Sequence, residues 1–360
     1  MKRLYVLPLA LLLATACGGG SGESEVTEEP APKHGDEDGH GDGGDDGGED
    51  GGEDGGDFVA APRGPARPEE LPAAKVDCAA GESQLQGRFV APNGETPVAG
   101  AWVYIAAGDC WAGTGADGSF AVRGLPEGET VVRAEKGLFR AEAVGSTGAP
   151  LQLRVEQGEL KLAHFEGLFD SMDQVLADLG FESTPLDPDA LATTDLTPWD
   201  VVFFNCGMGQ WQAEEPAVQE ALRAYVEGGG RIYLSDWADV FVSATFPGRI
   251  GFASPDARLG AMGEQTATVH DEALVRALGK RTATVGFDAP MWTVIDSVAD
   301  DVEILVSGPV ETVTGESLGE RPYLVQFGAG EGRVTFTSFH HEQQPTDDVR
   351  TLLEQLVFQL

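Results

Sequence analysis

The chain has 360 residues, with 60 Asp and Glu against 23 Lys and Arg, which gives a formal net charge of −37. Because the sequence has no cluster of basic residues that would neutralise phosphates, this composition argues against a nucleic-acid-binding protein. The charge predicts solubility and repulsion from anionic lipid, but it predicts no particular fold.

The first seventeen residues are typical of an export signal. A basic start (Met-Lys-Arg) precedes an almost uninterrupted apolar run at 4–13, and residues 14–17 read Ala-Thr-Ala-Cys. The run is too short to cross a bilayer, which needs ~20 apolar residues. The last four residues resemble the lipobox of bacterial lipoproteins, which implies removal of residues 1–16 and acylation of Cys17. The same small residues also suit an ordinary signal peptidase, so plain secretion is the alternative.

Residues 17–75 are predicted to be a disordered tether. Between residues 18 and 57 the chain is a Gly, Asp and Glu tract with 15 acids against one lysine. Low hydrophobicity and dense like charge leave too little burial to offset chain entropy. The acids lack the fixed spacing of a calcium loop, so a solvated spacer is favoured over a metal site.

Residues 76–156 contain short apolar segments separated by Gly, Pro, Asn and Asp. Turn residues that recur every ~8–12 positions predict a small all-β sandwich of Greek-key type. The order of the motifs resembles the carboxypeptidase regulatory-like domain, a prealbumin-like fold. The matching segments are 87–89 (GRF), 97–103 (PVAGAWV), 114–120 (TGADGSF) and 125–128 (LPEG). The resemblance implies a spacer or stability module, sometimes one that binds carbohydrate or protein, and not a catalytic domain.

Cys78 and Cys110 lie in this region, and export to an oxidising compartment favours a disulfide between them. Two separate thiols are the alternative. Trp102, Trp111 and Phe120 are interpreted as core or rim residues, with a sugar-stacking platform as the alternative.

From residue 159 to residue 360, strand and helix patterns alternate. Residues 201–204 (VVFF) form a continuous apolar run, as expected of a strand buried on both faces of a parallel sheet. Helices are predicted at 172–179, 216–227 and 349–360. The alternation predicts an α/β doubly wound, flavodoxin-like sheet with right-handed crossovers, and 281–327 predict an antiparallel extension at one edge.

This order of elements resembles the class I glutamine amidotransferase-like fold. In that family one strand ends in a sharp elbow that presents a cysteine between glycines, and a later strand ends in Phe-His-Pro-Glu. Residues 339–342 read Phe-His-His-Glu, so the resemblance assigns the triad roles to His340 and Glu342. The elbow position, 234–238, reads Leu-Ser-Asp-Trp-Ala, without cysteine and without the glycines that permit a strained turn. Loss of amidotransfer is therefore expected, and the remaining catalytic candidates are Ser235, Asp236, His340 and Glu342.

Ligands of open α/β sheets lie beyond the carboxyl ends of the strands, where further polar side chains are expected. The additional ligand-binding candidates are His164, Glu166, Asn205, Cys206, Trp237 and His341. Acids and histidines suit a metal or a sugar hydroxyl, but packing against the sheet is the favoured interpretation. Cys206 is interpreted as a buried small hydrophobe in preference to a reactive thiol.

The sequence therefore predicts an exported multidomain lipoprotein. Its parts are a signal peptide (1–16), a lipidated tether (17–75), a β-sandwich (76–156) and an amidotransferase-like α/β domain (159–360). Outer-membrane anchoring is expected, since Gly18 and not an aspartate follows the cysteine. The leading hypothesis is a non-catalytic binding or structural role toward a glycan or an envelope protein, with no cofactor and no assigned metal ligand. The alternatives are an extracytoplasmic hydrolase of glycan or peptide that uses Asp236, His340 and Glu342, and metal-dependent binding.

Overall fold

The computed structural model describes residues 74–208, 210–253, 257–341 and 346–360, which belong to one compact unit. The predicted signal peptide, Cys17, the acidic tract and Glu342 lie outside the described residues. Within the described part of the chain, every helix is too short or too polar to cross a membrane.

The first region consists of seven strands. They are β1 (Ser83–Val90), β2 (Trp102–Ile105), β3 (Cys110–Gly113), β4 (Ser119–Leu125), β5 (Glu129–Lys136), β6 (Phe139–Ser146) and β7 (Pro150–Arg154). They form a three-stranded sheet in the order β4-β1-β7 and a four-stranded sheet in the order β3-β2-β5-β6. All neighbours are antiparallel except β1 and β7, which are parallel.

Alternating burial along the strands explains why these segments form sheets. In β5, and in the first four residues of β4, the buried side chains recur at every second position, as a strand with one apolar face requires. The buried side chains of both sheets, among them Phe89, Phe120, Val103 and Val132, belong to one apolar cluster. Gly118 has φ +73°, and a Cβ there would lie 2.4 Å from the Phe89 carbonyl oxygen, so only glycine fits this turn.

The cysteines and aromatic residues of this region lie mostly inside it. A disulfide joins Cys78 and Cys110, whose Cα atoms are 5.6 Å apart. Trp102 and Phe120 are buried, while Trp111 is half-buried with the Lys75 ammonium 5.7 Å from its ring centroid.

In the described residues from 159 onward, which form the second region, there are thirteen strands and five helices. The strands are β8 (Leu162–Phe165), β9 (Ser183–Leu186), β10 (Val201–Phe204), β11 (Arg231–Ser235), β12 (Ile250–Phe252), β13 (Arg258–Gly260), β14 (Gly263–Val269), β15 (Thr282–Phe287), β16 (Trp292–Thr293), β17 (Ile295–Val298), β18 (Glu303–Glu311), β19 (Ser317–Ala329) and β20 (Gly332–Thr337). The helices are α1 (Met172–Leu179), α2 (Pro216–Glu227), α3 (Asp239–Thr245), α4 (Glu272–Leu278) and α5 (Asp347–Val357).

Nine of these strands form one mixed sheet in the order β15-β14-β18-β19-β20-β11-β10-β8-β9. The five strands from β20 to β9 are parallel to their neighbours, and the strands from β15 to β19 extend the sheet in antiparallel fashion. Two short antiparallel pairs, β12 with β17 and β13 with β16, lie outside this sheet. The α/β sheet with an antiparallel extension thus has the form that the sequence pattern predicts.

Helices cover both faces of the parallel part of the sheet. Within β10, Val201 and Phe203 belong to one apolar cluster, and Val202 and Phe204 belong to the other. The buried faces of α1 and α5 join the first cluster, and those of α2 and α3 join the second. A strand that faces helices on both sides needs an unbroken apolar run, which accounts for the VVFF sequence.

The two regions share a continuous apolar interface. Phe139 of β6 packs against Phe181 and Phe358, with ring centroids 4.9 and 5.2 Å away. The Gln355 side chain of α5 accepts a hydrogen bond from the Ala99 amide (3.1 Å) and donates one to the Pro97 carbonyl oxygen (2.8 Å). The first region therefore covers the sheet face that carries α1 and α5.

Candidate functional site

A cavity of about 590 Å³ opens where several strands of the mixed sheet end. Its lining comes from the segment after β8, the turn after β11, the loop after β15 and the segment after β20. The titratable side chains among its lining residues are Asp173, Asp236, Asp288, His340 and His341. Among the described residues that line it there is neither a lysine nor an arginine, so the cavity is acidic.

Asp236 stands on a sharp turn directly after β11. Its backbone has φ +44°, a left-handed conformation that is costly for a residue with a Cβ. The side chain is 4% exposed, and the Thr293 amide donates a 2.6 Å hydrogen bond to Oδ1. The expectation that this position lacks a strained turn because it lacks glycines is therefore wrong. Tertiary contacts hold an aspartate where the sequence offers no conformational signal.

Three side chains from three adjacent strands meet at this turn. The Oδ2 atom of Asp236 lies 3.6 Å from Nε2 of His340, which follows β20. The Cys206 thiol, which follows β10, donates to the same oxygen over 3.4 Å. All three side chains are buried, and Asp236 and His340 line the cavity.

Ser235 belongs to a buried hydrogen-bond chain behind the turn. Its hydroxyl accepts a 3.0 Å hydrogen bond from the Cys206 amide and donates a short one to Oδ2 of Asp170. Oδ1 of Asp170 accepts from the amides of Ser171 (2.7 Å) and His341 (3.0 Å). With 0% exposure and its hydroxyl engaged on both sides, Ser235 positions its neighbours and does not line the cavity.

Burial controls the protonation of two groups in this network. Desolvation raises the pKa of the Asp170 carboxyl above its usual value, against the attraction of His340 and the hydrogen bonds that it accepts. Burial raises the pKa of the Cys206 thiol well above its usual range, and the Asp236 charge acts in the same direction. The thiol is therefore neutral in this state, as the interpretation of Cys206 as a buried small residue requires.

Only some of the predicted ligand residues line the cavity. Trp237 and His341 line the cavity. His164 does not, because its Nδ1 atom lies 3.0 Å from the Ser183 hydroxyl on the neighbouring β9, and burial lowers its pKa. Glu166 is exposed to solvent and lies outside the cavity lining. Asn205 is buried, and its side-chain oxygen accepts from the Met172 amide over 3.4 Å.

Sequence reasoning missed three acids that contribute to the site. Asp170 and Asp173 follow β8 at the start of α1, a position where acids are common, and this local signal was available. Asp288 enters from the loop after β15, far away along the chain. Nothing in its local sequence indicates that convergence, because the antiparallel extension brings it there.

Aromatic and apolar side chains form the rest of the wall. The rings of Phe169 and Trp237 meet edge to face with centroids 5.3 Å apart, and the Trp237 indole donates to the Met291 carbonyl oxygen over 2.9 Å. The Arg258 guanidinium lies 4.7 Å from the Trp237 ring centroid. Leu168 and Phe169 are 80% and 50% exposed, so apolar surface lines the entrance. Exposed apolar side chains around a polar floor are typical of ligand sites.

No protein-family model and no curated protein matches the sequence. Among solved structures, a ThuA-like protein from Bacteroides uniformis matches with a TM-score of 0.39 and 16% identity over 56% of this chain and 89% of that one. A glutamine amidotransferase from Thermotoga maritima matches with a TM-score of 0.36 and 9% identity over 51% of this chain and 76% of that one. These likenesses are too weak to indicate a function.

Proposed function

We propose that the chain is an exported, lipid-anchored envelope protein that binds a neutral or cationic glycan in the cavity around Asp236. The cavity would belong to an amidotransferase-like domain that lacks the family's cysteine nucleophile, and the first region would be a prealbumin-like spacer. The observation that carries the proposal is the acidic cavity floor beside the aromatic pair Phe169 and Trp237.

The lining supports a sugar ligand on chemical grounds. Sugar rings have an apolar C–H face, which packs on an aromatic ring, and a rim of hydroxyls, which donate to carboxylates. Asp173, Asp236 and Asp288 supply acceptors, and Trp237 supplies a ring face. An anionic glycan would face these carboxylates, and the described lining residues offer it no lysine or arginine.

A titration with three hexasaccharides of different charge tests this proposal. We expect the detergent-solubilised full chain to bind a neutral chitin hexamer and a cationic chitosan hexamer, and to bind an anionic hyaluronan hexamer at least ~10-fold more weakly. Isothermal titration calorimetry measures the three affinities. Equal affinity for all three, or binding of the anionic one alone, would contradict the proposal.

A matched pair of tryptophan variants locates the binding site. Trp237→Ala is expected to weaken chitin binding by ~10-fold or more, because that is the loss when ~1.4 kcal/mol of stacking is removed. Trp211→Ala removes an exposed tryptophan that does not line the cavity, and its affinity should equal that of the wild type. Equal losses of affinity in both variants, or no loss in either, would contradict the proposal.

The anchor is tested separately by fractionation. Cys17 lies outside the described residues, so its role rests on the sequence alone. Cys17→Ala should move the protein from the membrane fraction to the soluble fraction, because the acyl chains would be its membrane attachment. Unchanged membrane association would refute lipid anchoring at this residue.

The strained turn favours a second candidate function, a hydrolase with Asp236 as its nucleophile. Its carboxylate would attack the electrophilic carbon of a glycosidic bond, while protonated His340 gives its proton to the departing oxygen. Neutral His340 would then take a proton from water, and the hydroxide would cleave the ester and restore the carboxylate. The supporting observation is the positive φ of Asp236 opposite His340.

Reducing-end release separates the two candidates. If the hydrolase candidate is right, the wild type releases new reducing ends from the chitin hexamer and Asp236→Asn does not. Binding without turnover in the wild type excludes hydrolysis of this substrate and leaves the binding proposal in place.

A further inference from the structure

The buried trio Cys206, Asp236 and His340 has the composition of a metal site. The three residues follow β10, β11 and β20, which are adjacent in the sheet order, and this adjacency brings their side chains together. One possible ligand atom from each of them lies within 4.8 Å of the other two. We propose that Cys206, Asp236 and His340 bind one zinc ion.

The two separations from Oδ2 of Asp236 match those of a tetrahedral zinc site. With Zn–S near ~2.3 Å and Zn–N and Zn–O near ~2.0 Å, tetrahedral ligands lie ~3.5 Å (S to O) and ~3.3 Å (N to O) apart. Sγ of Cys206 lies 3.4 Å from Oδ2 of Asp236, and Nε2 of His340 lies 3.6 Å from it. Small side-chain adjustments would suffice to close the site around an ion.

The donor set selects zinc over other common cations. Mg²⁺ and Ca²⁺ are bound by oxygen ligands, and a thiolate and an imidazole suit them poorly. A thiolate, an imidazole and a carboxylate together form a set that zinc accepts. Zinc with one thiolate, one carboxylate and one neutral imidazole has no net charge, which suits three buried side chains. On binding, the Cys206 proton would leave to solvent as the S–Zn bond forms.

Outer hydrogen bonds already orient two of the three ligands. The Thr293 amide holds Oδ1 of Asp236, which directs Oδ2 toward Cys206 and His340. The Cys206 amide is held by the Ser235 hydroxyl, and this hydroxyl donates to Asp170. Such partners fix ligand orientation in metal sites. Because Asp236 and His340 line the cavity, a fourth coordination position would be open to a water or a ligand hydroxyl from that side.

Cobalt spectroscopy of the full chain tests the site without any glycan, so its result does not depend on the proposed function. We expect Co²⁺ added to the metal-free, detergent-solubilised protein to produce a thiolate-to-cobalt charge-transfer band and the intense visible bands of tetrahedral coordination. One equivalent of Zn²⁺ should displace the cobalt and abolish both signals, because zinc, with a filled d shell, loses no ligand-field stabilisation in a tetrahedral thiolate site and therefore binds it more tightly. Absence of a thiolate band in the wild type would overturn the proposal.

Ligand variants assign the signal to the trio. Cys206→Ala should eliminate the thiolate band, and His340→Ala should weaken cobalt binding by ~100-fold or more, since even outer partners cost ~10–100-fold. His341→Ala is the matched control, because His341 lines the same cavity outside the trio, and it should retain the band. A band that persists in Cys206→Ala, or one that disappears equally in His341→Ala, would refute the assignment.

Melting temperatures show whether the variants still fold. Saturating Zn²⁺ should raise the melting temperature of the wild type and of His341→Ala, because an ion that binds only the folded state stabilises it. Cys206→Ala and His340→Ala should keep a cooperative melting transition but lose the zinc-dependent shift. An equal zinc-dependent shift in all four proteins would place the ion elsewhere in the chain and contradict the proposal.

Discussion

Asp170 and Asp236 are two buried carboxyl groups near His340 with different surroundings. Asp170 accepts three hydrogen bonds behind the turn, and Asp236 stands on the turn and lines the cavity. At the scale of residues, this difference assigns Asp170 a positioning role and leaves Asp236 for ligand contact. It also makes the protonation of Asp170 a measurable property of the folded state.

The pH dependence of stability tests the state of Asp170. Burial raises its pKa above 3.8, so the folded state binds this proton more tightly than the unfolded state. The stabilisation that the Asp170 proton contributes is fully present below pH 3.8, and it is lost as the pH rises through the pKa of the folded state. The free energy of unfolding of Asp170→Asn, measured in urea relative to wild type, should therefore increase from about pH 4 to about pH 7.

An exposed acid provides the control of opposite sign. The Arg249 guanidinium lowers the pKa of Asp301, so this contribution is present at higher pH and is lost as the pH falls. Asp301→Asn should lose stability relative to wild type as the pH rises to about 4, weakly because solvent screens the pair, and the difference should then stay level up to about pH 7. A pH-independent difference for Asp170→Asn would show that Asp170 titrates alike in both states.

At the scale of elements, the turn between β11 and the following helical segment determines the site. The turn directs the Asp236 carboxylate toward side chains that follow the neighbouring strands. The backbone of Asp236 has the positive φ that favours glycine. The hydrogen bond that the Thr293 amide donates to Asp236 and the packing of adjacent strands hold the turn there. Strain of this kind costs ~1–3 kcal/mol and persists where the surrounding structure imposes it.

A pair of substitutions measures this strain. Asp236→Ala and Asp236→Gly both remove the carboxylate, but only alanine keeps the Cβ that disfavours φ +44°. The glycine variant should be more stable than the alanine variant by ~1 kcal/mol in denaturant unfolding. At Glu220, exposed in the middle of α2, the same pair should show the reverse order, since glycine weakens helices by ~1 kcal/mol. The same order at both positions would mean that the turn at Asp236 carries no strain.

At the scale of the whole molecule, the shared interface couples the two regions that differ in sequence pattern. Phe139, Phe181 and Phe358 form an aromatic group across the boundary, and Gln355 satisfies two backbone groups of the first region. The apolar cluster that contains these rings extends into both regions. Neither region can separate without exposing this surface to water.

Calorimetry tests this coupling. The wild type should unfold in one cooperative transition, and Phe358→Ala, which removes a fully buried ring at the boundary, should cost ~3–5 kcal/mol or split the transition in two. Trp211→Ala, at an exposed site away from the boundary, should leave the transition unchanged. Two well-separated transitions in the wild type would show that the regions unfold independently.

Local periodicity alone predicts much of this architecture. Some features depend only on neighbours within a few positions and can therefore be predicted from the sequence. They are the apolar spacing of α1, α2 and α5, the unbroken apolar run of β10 and the turn residues between β1 and β7. The same holds for the candidates His340, His341 and Trp237, which follow strands and reach the cavity.

Only the tertiary structure decides how these elements make a site. The positive φ of Asp236 is imposed by contacts from other strands, and Asp170 and Asp288 converge from distant segments. His164, like His340, lies near the carboxyl end of a strand of the sheet. Its ring nevertheless contacts the Ser183 hydroxyl on β9 and lies outside the cavity. Hydrophobic periodicity encodes which face of an element is buried, whereas the meeting of polar side chains depends on strand order and turn geometry. Long-range packing supplies both, and no local pattern records them.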